Sequence, residues 1–372
     1  MALPPASDLV LTHPDPSEHH SLFASTADEW KGALTASQYI KQCAELVSLD
    51  SEPSYNGLQH ADWILVDGTL PIHSRAILSS CETFRKRVLV ARGGVVEEKV
   101  VFGIASVFTA PKFRRRGYAK VMLRLLAERL EGCIGTLLFS DIGKRFYCEL
   151  GWVVLEGNRH LDFPVVGDEG RGEGVQAATP VLEGDLEELC AADEAMVRKS
   201  MAVGGAKMKI TVVPDREHMA WHHMREDFIC RGLFGKAAEV RGAISGAPGK
   251  RVWVVWTRKY DSRPDATEKG NTLYILRVVI EKQDVVDSRE REEVKENLRA
   301  VIESSLKEAE EWKLSVVRFW DPSPLMSQLV KELGLDFVET EREDDGIASL
   351  RLNGGVCEGE LEWLANERYA WC

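Results

Sequence analysis

The stretch Phe113–Leu123, FRRRGYAKVML, decides how this chain is read. It follows VVFGIASVF at Val100–Phe108, a run nearly continuous in apolar residues, as befits a strand covered on both faces, and Pro111 ends that run. From Gly117 to Leu130 the spacing becomes helical, which predicts Tyr118, Val121, Met122, Leu125, Leu126 and Leu130 on the buried side. A strand therefore passes through a short basic glycine turn straight into a helix. The first N–H groups of such a helix lack intrahelical partners and sit at the positive end of its dipole, so the turn suits an anion, a pyrophosphate above all. Gly117 lets the backbone come close to that guest, and Ala119 keeps the next turn narrow. Arg114, Arg115 and Arg116 add positive potential.

Working outward, LVLTHPDPSEHHSLFASTADEW reads as a strand, a proline turn and a helix capped near Ser17. A second helix is predicted over Ser37–Leu49, with Tyr39, Ile40, Cys43, Leu46 and Val47 on one face. Strands are predicted at Trp63–Val66, Val88–Ala91, Thr136–Ser140 and from Trp152, with a short helix at Lys144–Leu150 between the last two. The glycine-rich and charged stretch Val165–Pro180 has no period and reads as a linker. Beyond it come an acidic helix ending near Met201, a helix from Trp221 to about Arg231, and paired strands at Arg251–Thr257 and Thr272–Glu281. A long amphipathic helix over Arg289–Trp312, a strand at Val316–Trp320, a helix at Leu325–Leu333 and two further strands complete the order. The expected fold is mixed α/β (α+β): an N-terminal mixed sheet flanked by helices over 1–165, a linker over 166–180, and a second α/β domain over 181–372 that echoes the first as a degenerate copy.

The formal net charge of −12 argues against bulk binding to nucleic acid or anionic membrane, since both need a basic face. Eight scattered cysteines without a CxxC pair, and no Cys/His group at zinc spacing, read as reduced core residues, so no metal is expected. MALPPASDLV has neither the basic nor the apolar region of a secretory signal, and no apolar run approaches the ~20 residues of a membrane helix. The expectation is a cytoplasmic protein acting on a small molecule. Nothing in the residues fixes an oligomeric state.

The pattern R-x-x-G-x-A at Arg114–Ala119 resembles the Q/R-x-x-G-x-G/A signature of the Gcn5-related N-acetyltransferases (GNATs). About thirty residues on, KRFYCELGW at Lys144–Trp152 resembles the aromatic-Tyr-x-x-x-Gly-aromatic stretch of the same superfamily, with Phe146, Tyr147, Leu150, Gly151 and Trp152 in the matching places. The resemblance implies a first domain that binds acetyl-CoA as co-substrate. Arg114, Arg115, Arg116, Gly117, Tyr118, Ala119 and Lys120 would hold the pyrophosphate, and the backbone of Ser106, Val107, Phe108 and Thr109 the pantetheine and thioester carbonyl. It also implies that Tyr147 lies near the sulfur as the general acid, the alternative being a core tyrosine beside Phe146. Asp141 is one candidate for the base, and a helix N-cap is its other reading.

Further stretches are similar to the fungal lysine N6-acetyltransferase family: Ile77–Ala91, Leu138–Trp152, Val212–Phe228 and the terminal LEWLANERYAWC. This likeness implies a primary amine as acceptor, the ε-amine of free lysine first, and direct transfer. Polyamines, other amines and a non-catalytic CoA-binding module are the alternatives. The Cys372 carboxylate could serve as base if the C-terminus enters the site, or Tyr369 and Trp371 could pack as a plug. The pairs His19-His20 and His222-His223 read as surface or core histidines, because adjacent helical residues point about 100° apart. Glu339, Glu341, Glu343, Asp344 and Asp345 read as a solvated hairpin, while Trp221, Glu226 and Asp227 are candidates for the acceptor pocket.

Overall fold

The computed structural model describes residues 6–49, 59–130, 132–166, 177–266, 270–285, 287–355 and 359–371. The chain opens with β1 (Leu9–Thr12), α1 (Pro16–Trp30), α2 (Ala36–Leu49) and β2 (Ala61–Asp67). The first helix starts earlier than expected. Asp15, not Ser17, is its cap: the Asp15 carboxylate accepts from the Ser17 and Glu18 N–H groups at 2.8 Å each, and Glu18 accepts from the Asp15 N–H at 3.0 Å. Two long strands follow, β3 (Ser79–Arg92) and β4 (Val95–Phe108), and then α3 (Tyr118–Arg129), β5 (Gly135–Ser140), α4 (Arg145–Cys148) and the short β6 (Val153–Val154). The expected strand at Val88–Ala91 is thus only the far end of a 14-residue strand. On α3, Leu123 is buried beside Tyr118, Met122, Leu126 and Leu130, while Val121 and Leu125 are half-buried.

The rest of the chain comprises β7 (Arg159–Pro164), β8 (Thr179–Leu182), α5 (Leu186–Met201), β9 (Met208–Val212), α6 (Arg216–Phe234), β10 (Val240–Ser245), β11 (Val252–Lys259), β12 (Thr272–Ile280), α7 (Ser288–Glu311), β13 (Val316–Trp320), α8 (Pro324–Leu333), β14 (Val338–Glu341), β15 (Ile347–Leu352) and β16 (Leu361–Trp363). One sheet runs β1-β2-β3-β4-β5-β15-β6, with β9 on the far half of β3 and β16 on β9; the other runs β14-β7-β13-β12-β11-β10-β8. In each sheet an antiparallel pair precedes a helical crossover to a parallel strand: β3-β4-α3-β5 in the first, β11-β12-α7-β13 in the second. The second domain is a copy without the anion turn, since α7 begins at an Asp287 cap followed by Glu290.

Strands cross the expected division of the chain in both directions. β7, from the first 165 residues, pairs with β13 and β14, whereas β15 inserts between β5 and β6. The sheets also share a core, in which Val101 and Leu137 of the first meet Trp253, Val255 and Leu276 of the second. Leu350 on β15 is fully buried in that core. Leu350→Ala should cost roughly 2–5 kcal/mol, the range for truncating a buried leucine. Urea unfolding followed by tryptophan fluorescence should show the loss as an earlier midpoint of one transition; two separate transitions would mean that the shared core does not couple the sheets.

Candidate functional site

The candidate site lies where β4 leaves its parallel neighbour. β4 and β5 pair only from Phe102/Thr136 to Ile104/Leu138, while β4 runs on to Phe108. Past Ile104 the strands part, and residues 105–108 face the gap without a strand partner on that side among the described residues. On the other side the pairing with β3 slips between Ser80↔Phe108 and Glu82↔Ala105, so β4 carries one extra residue. Ser106 takes up the slack in the left-handed region, at φ +51°. Such a bulge re-aims the backbone beside it. The end of β4 is fastened by the Ser79 hydroxyl, which donates to the Phe108 carbonyl at 2.8 Å and lies 3.0 Å from the Thr109 hydroxyl.

A cleft of about 1170 Å³ opens at this fork. Ser106, Val107, Phe108 and Thr109 line it, as do Arg114, Arg115, Gly117, Tyr118, Ala119 and Lys120 from the turn and first helical residues, and Asp141 and Tyr147 from across the gap. Gly117 caps α3 at φ +82°, a conformation that disfavours any side chain, and a Cβ there would meet no atom within 4 Å. The first turn of α3 therefore opens onto free space with its N–H groups forward, which fits a diphosphate.

The arginines divide their work. Arg114 is structural: its Nε donates to the Thr109 carbonyl at 2.9 Å and its Nη2 to Glu29 at 2.6 Å, tying the turn to α1. Arg116 lies outside the cleft lining, its guanidinium 6.0 Å from the Phe113 ring. Arg115 lines the cleft and has no ion-pair partner among the described residues. Lys120 binds Glu149 at 2.7 Å, joining α3 to α4. Tyr118 contributes backbone rather than phenol, since its hydroxyl is buried without a hydrogen-bond partner among the described residues.

Tyr147 is buried between Phe146 and Trp152, with ring centroids at 5.0 and 6.1 Å. Burial pushes its phenol above the ordinary tyrosine range, so it stays protonated, and its hydroxyl has no hydrogen-bond partner among the described residues. Asp141 does something neither sequence reading foresaw. It does not cap α4, whose cap is Lys144 without a side-chain bond. Its carboxylate accepts from the Gly346 N–H at 3.0 Å and faces Asp345. Shielding from water and the neighbouring Asp345 carboxyl push its pKa up to about 6. Asp345 thereby leaves the acidic hairpin, where Glu343 and Glu339 pair with Lys144 and Arg159 at 2.7 and 3.1 Å.

Beside the bulge lies a group missed in the sequence. Glu82 of β3, opposite the bulge, shares the lining with His60, Phe84, Trp221, Arg225 and Trp371. His60 Nε2 is 4.0 Å from Glu82 and 3.8 Å from Asp62, and Asp62 also takes His19 at 3.1 Å. Burial raises the Glu82 pKa, the Asp62 charge adds to that, and His60, Arg225 and a Ser106 hydrogen bond oppose it. Ligand atoms of His60, Asp62 and Glu82 lie within 4.8 Å of one another, so the group has the spacing of a divalent-cation site as well as of a proton relay. The signal for Glu82 was an acid in the β-rich SSCETF; placing the strand only from Val88 hid it.

Of the other candidates, Trp221 lines the cleft, but Glu226 and Asp227 turn away to Arg258 and Arg241. His222 and His223 are core residues facing the Tyr369 and Trp256 carbonyls. Tyr369 is a plug, fully buried with its hydroxyl donating to the Val212 carbonyl at 2.6 Å, whereas Trp371 reaches the cleft wall. Cys372 lies outside the described residues.

Residues 160–372 match the family described as the LYC1 GNAT-like C-terminal domain. A lysine acetyltransferase of Yarrowia lipolytica is 22% identical over 92% of this chain and 95% of its own. An uncharacterised protein of Saccharomyces cerevisiae is 23% identical over 98% of each. Among solved structures, a GCN5-related N-acetyltransferase from Kribbella flavida matches with a TM-score of 0.51 at 15% identity, over 93% of this chain and 72% of that one. The N-myristoyltransferase of Saccharomyces cerevisiae, solved with myristoyl-CoA, matches with a TM-score of 0.54 at 11% identity, over 95% and 80%. The family match and the shared fold place the chain in the GNAT superfamily.

Asp141 can be separated from a base by one substitution. Asp141→Asn keeps the oxygen that accepts from Gly346 and relieves the carboxyl pair, so most of the turnover should remain. A loss of about 100-fold or more, the scale of a removed general base, would return Asp141 to the chemistry.

Proposed function

The chain belongs to the LYC1 GNAT-like family, and from that premise we propose that it moves the acetyl group of acetyl-CoA to a primary amine, the ε-amine of free lysine first among them. The chain is an acyltransferase of the GNAT superfamily. The observation that carries the finer reading is the fork at Ile104, with the open N-terminus of α3 at one end of a cleft and Glu82 and Tyr147 along it. Lysine as the acceptor draws support from the Yarrowia lipolytica relative.

Acetyl-CoA supplies an activated thioester. Everything else falls to the protein. The N–H groups freed on residues 105–108 are the donors available to polarise the thioester oxygen, as an oxyanion hole does. A lysine amine reaches the site as an ammonium, its ordinary pKa being about 10.4, and must lose a proton before it can attack. Glu82 takes that proton, and its raised pKa makes it a stronger base than an exposed carboxylate. As the amine nitrogen bonds to the carbonyl carbon and the carbon–sulfur bond breaks, the Tyr147 hydroxyl gives its proton to the departing thiolate. The nitrogen sheds its second proton to solvent, Glu82 releases the first there as well, Tyr147 regains one from it, and N6-acetyl-lysine and CoA leave.

Free-thiol release with acetyl-CoA and a panel of amines tests the function, and lysine should turn over. Gly117→Glu should abolish CoA binding in calorimetry, because it sets a negative charge where the anion must lie. The open space around Gly117 leaves only the left-handed backbone to strain, a cost of about 1–2 kcal/mol. Full CoA affinity in that variant would show that the turn is not the phosphate cradle.

Glu82→Gln should lower kcat by about 10²–10⁴-fold with CoA affinity kept. The pH profile fixes the sign. A carboxyl with a raised pKa is the base only when ionised, so wild-type kcat should fall as pH drops through that pKa, and the substitution should remove this acid limb. His60, Asp62 and Arg225 face Glu82, so His60→Gln should shift the limb without abolishing it. An acid limb unchanged in Glu82→Gln would assign the base elsewhere.

A further inference from the structure

Arg225 is a cation in the cleft that exchanges no proton and forms no bond in the transfer step. It lies on α6 one turn after Trp221, its guanidinium 4.9 Å from the Trp221 ring and 5.9 Å from the Trp371 ring. Neighbouring arginines are spent on carboxylates: Arg216 on Glu183, Arg231 and Arg241 on Asp227, Arg258 on Glu226. Arg225 has no ion-pair partner among the described residues and is half-buried in the cleft lining. Its backbone is held in place, since Gln42 of α2 donates its amide to the Arg225 carbonyl at 3.1 Å. Stacking on indole faces is worth about 0.5–2 kcal/mol to a guanidinium, and it leaves the in-plane N–H donors free. That planar fork is the match for a carboxylate.

The surroundings give the ligand its other end. A ladder of rings leads from the base to the cation: His60 to Phe84 with centroids 4.9 Å apart, Phe84 to Trp221 at 5.5 Å, and Trp221 to Trp371 at 6.2 Å. Glu82, Asp62 and His60 stand at one end of it and Arg225 at the other. An acidic pole, an aromatic wall and a guanidinium without an ion-pair partner among the described residues, all in one cleft, suit a molecule with an ammonium, an alkyl chain and a carboxylate.

We propose that Arg225 binds the carboxylate of the acceptor, and that the acceptors of this enzyme are therefore amino acids carrying a side-chain amine rather than polyamines or simple alkylamines. The inference rests on the reading of the cleft as an amine-acetylating site. Selectivity arises because an acceptor without a carboxylate leaves the guanidinium desolvated and unpaired when it fills the cleft.

The test compares lysine with cadaverine, the same diamine chain without its carboxylate, in full-length wild type and in Arg225→Gln and Arg225→Lys. Wild type should favour lysine in kcat/KM. Arg225→Gln should cut kcat/KM for lysine by about 10- to 100-fold, chiefly through KM, with a much smaller loss for cadaverine and an unchanged KM for acetyl-CoA. Arg225→Lys should recover part of the lysine preference by restoring the charge. Equal losses on both amines would make Arg225 a packing residue of the aromatic wall, and a rise confined to the KM of acetyl-CoA would give the guanidinium to a phosphate instead; either result overturns the proposal. Wild-type turnover of cadaverine as good as that of lysine would also overturn it and leave the acetyltransferase reading intact. Absence of transfer to every amine, with CoA bound, would overturn both.

Discussion

Parallel strands cannot be joined by a tight turn, so the segment after β4 must climb over the sheet as a helix and come back as β5. β4 and β5 share hydrogen bonds only up to Ile104 and Leu138, and β4 stays extended to Phe108 before the crossover begins. The backbone of residues 105–108 then faces the gap, and the N-terminus of α3 faces it too. Backbone donors and helix dipole are thus brought to one place by the crossover together with the bulge at Ser106. Three residues after the fork, Ser106, Arg115 and Gly117, take left-handed backbone where the chain turns within few residues.

The fork would close or fray if the surrounding sheet were free to slide. Exchange of β7 and β15 between the sheets prevents that, because neither half of the chain completes its own sheet. The C-terminal segment adds a second tie. Arg277 on β12 is buried with Asp193 of α5 at 2.7 Å and with Glu367, and Tyr369 reaches the carbonyl of Val212 on β9. Buried ion pairs contribute little net stability, but each is intolerant of misplacement, since a lone charge left in the core costs several kcal/mol. They therefore fix register more than they add strength. The beneficiary is Trp371, which Arg368 stacks against at 3.7 Å and which ends up beside Trp221 and Arg225. The part of the cleft proposed for the acceptor is lined from α2, β3, α6 and the last described residue, so it exists only in the complete fold.

Much of this could be read locally. The strand, glycine turn and helix around Phe113–Leu123 announced themselves because hydrophobic period and turn chemistry change within a few residues there. The long helix α7 and the pairing of β11 with β12 were legible for the same reason. What could not be read was set by partners distant in sequence. β3 carries Glu82, Arg85 and Arg87, which spoil its apolar pattern; Arg87 is accommodated by Glu98 on β4 and Glu194 on α5, and Glu82 faces the cleft. β9 and β10 are short and half-polar, and become strands by pairing with neighbours already in place. Asp141 looked like a cap or a base from its neighbours in sequence, and its partners at 345 and 346 are visible only once β15 lies beside β5.

The charges of the acceptor end are coupled, and the coupling has a direction. Arg225 lies near enough to Glu82 to lower its pKa, working against the burial that raises it. Without an acceptor, this field keeps Glu82 ionised over a wider range of pH than burial alone would. A carboxylate resting on Arg225 cancels part of that field and raises the proton affinity of Glu82 when an ammonium stands before it. An acceptor without a carboxylate gains no such help and meets a weaker base. The same guanidinium that would hold the amino acid in place would then also set the strength of Glu82 as the proposed base, so binding and proton removal would favour the same acceptor.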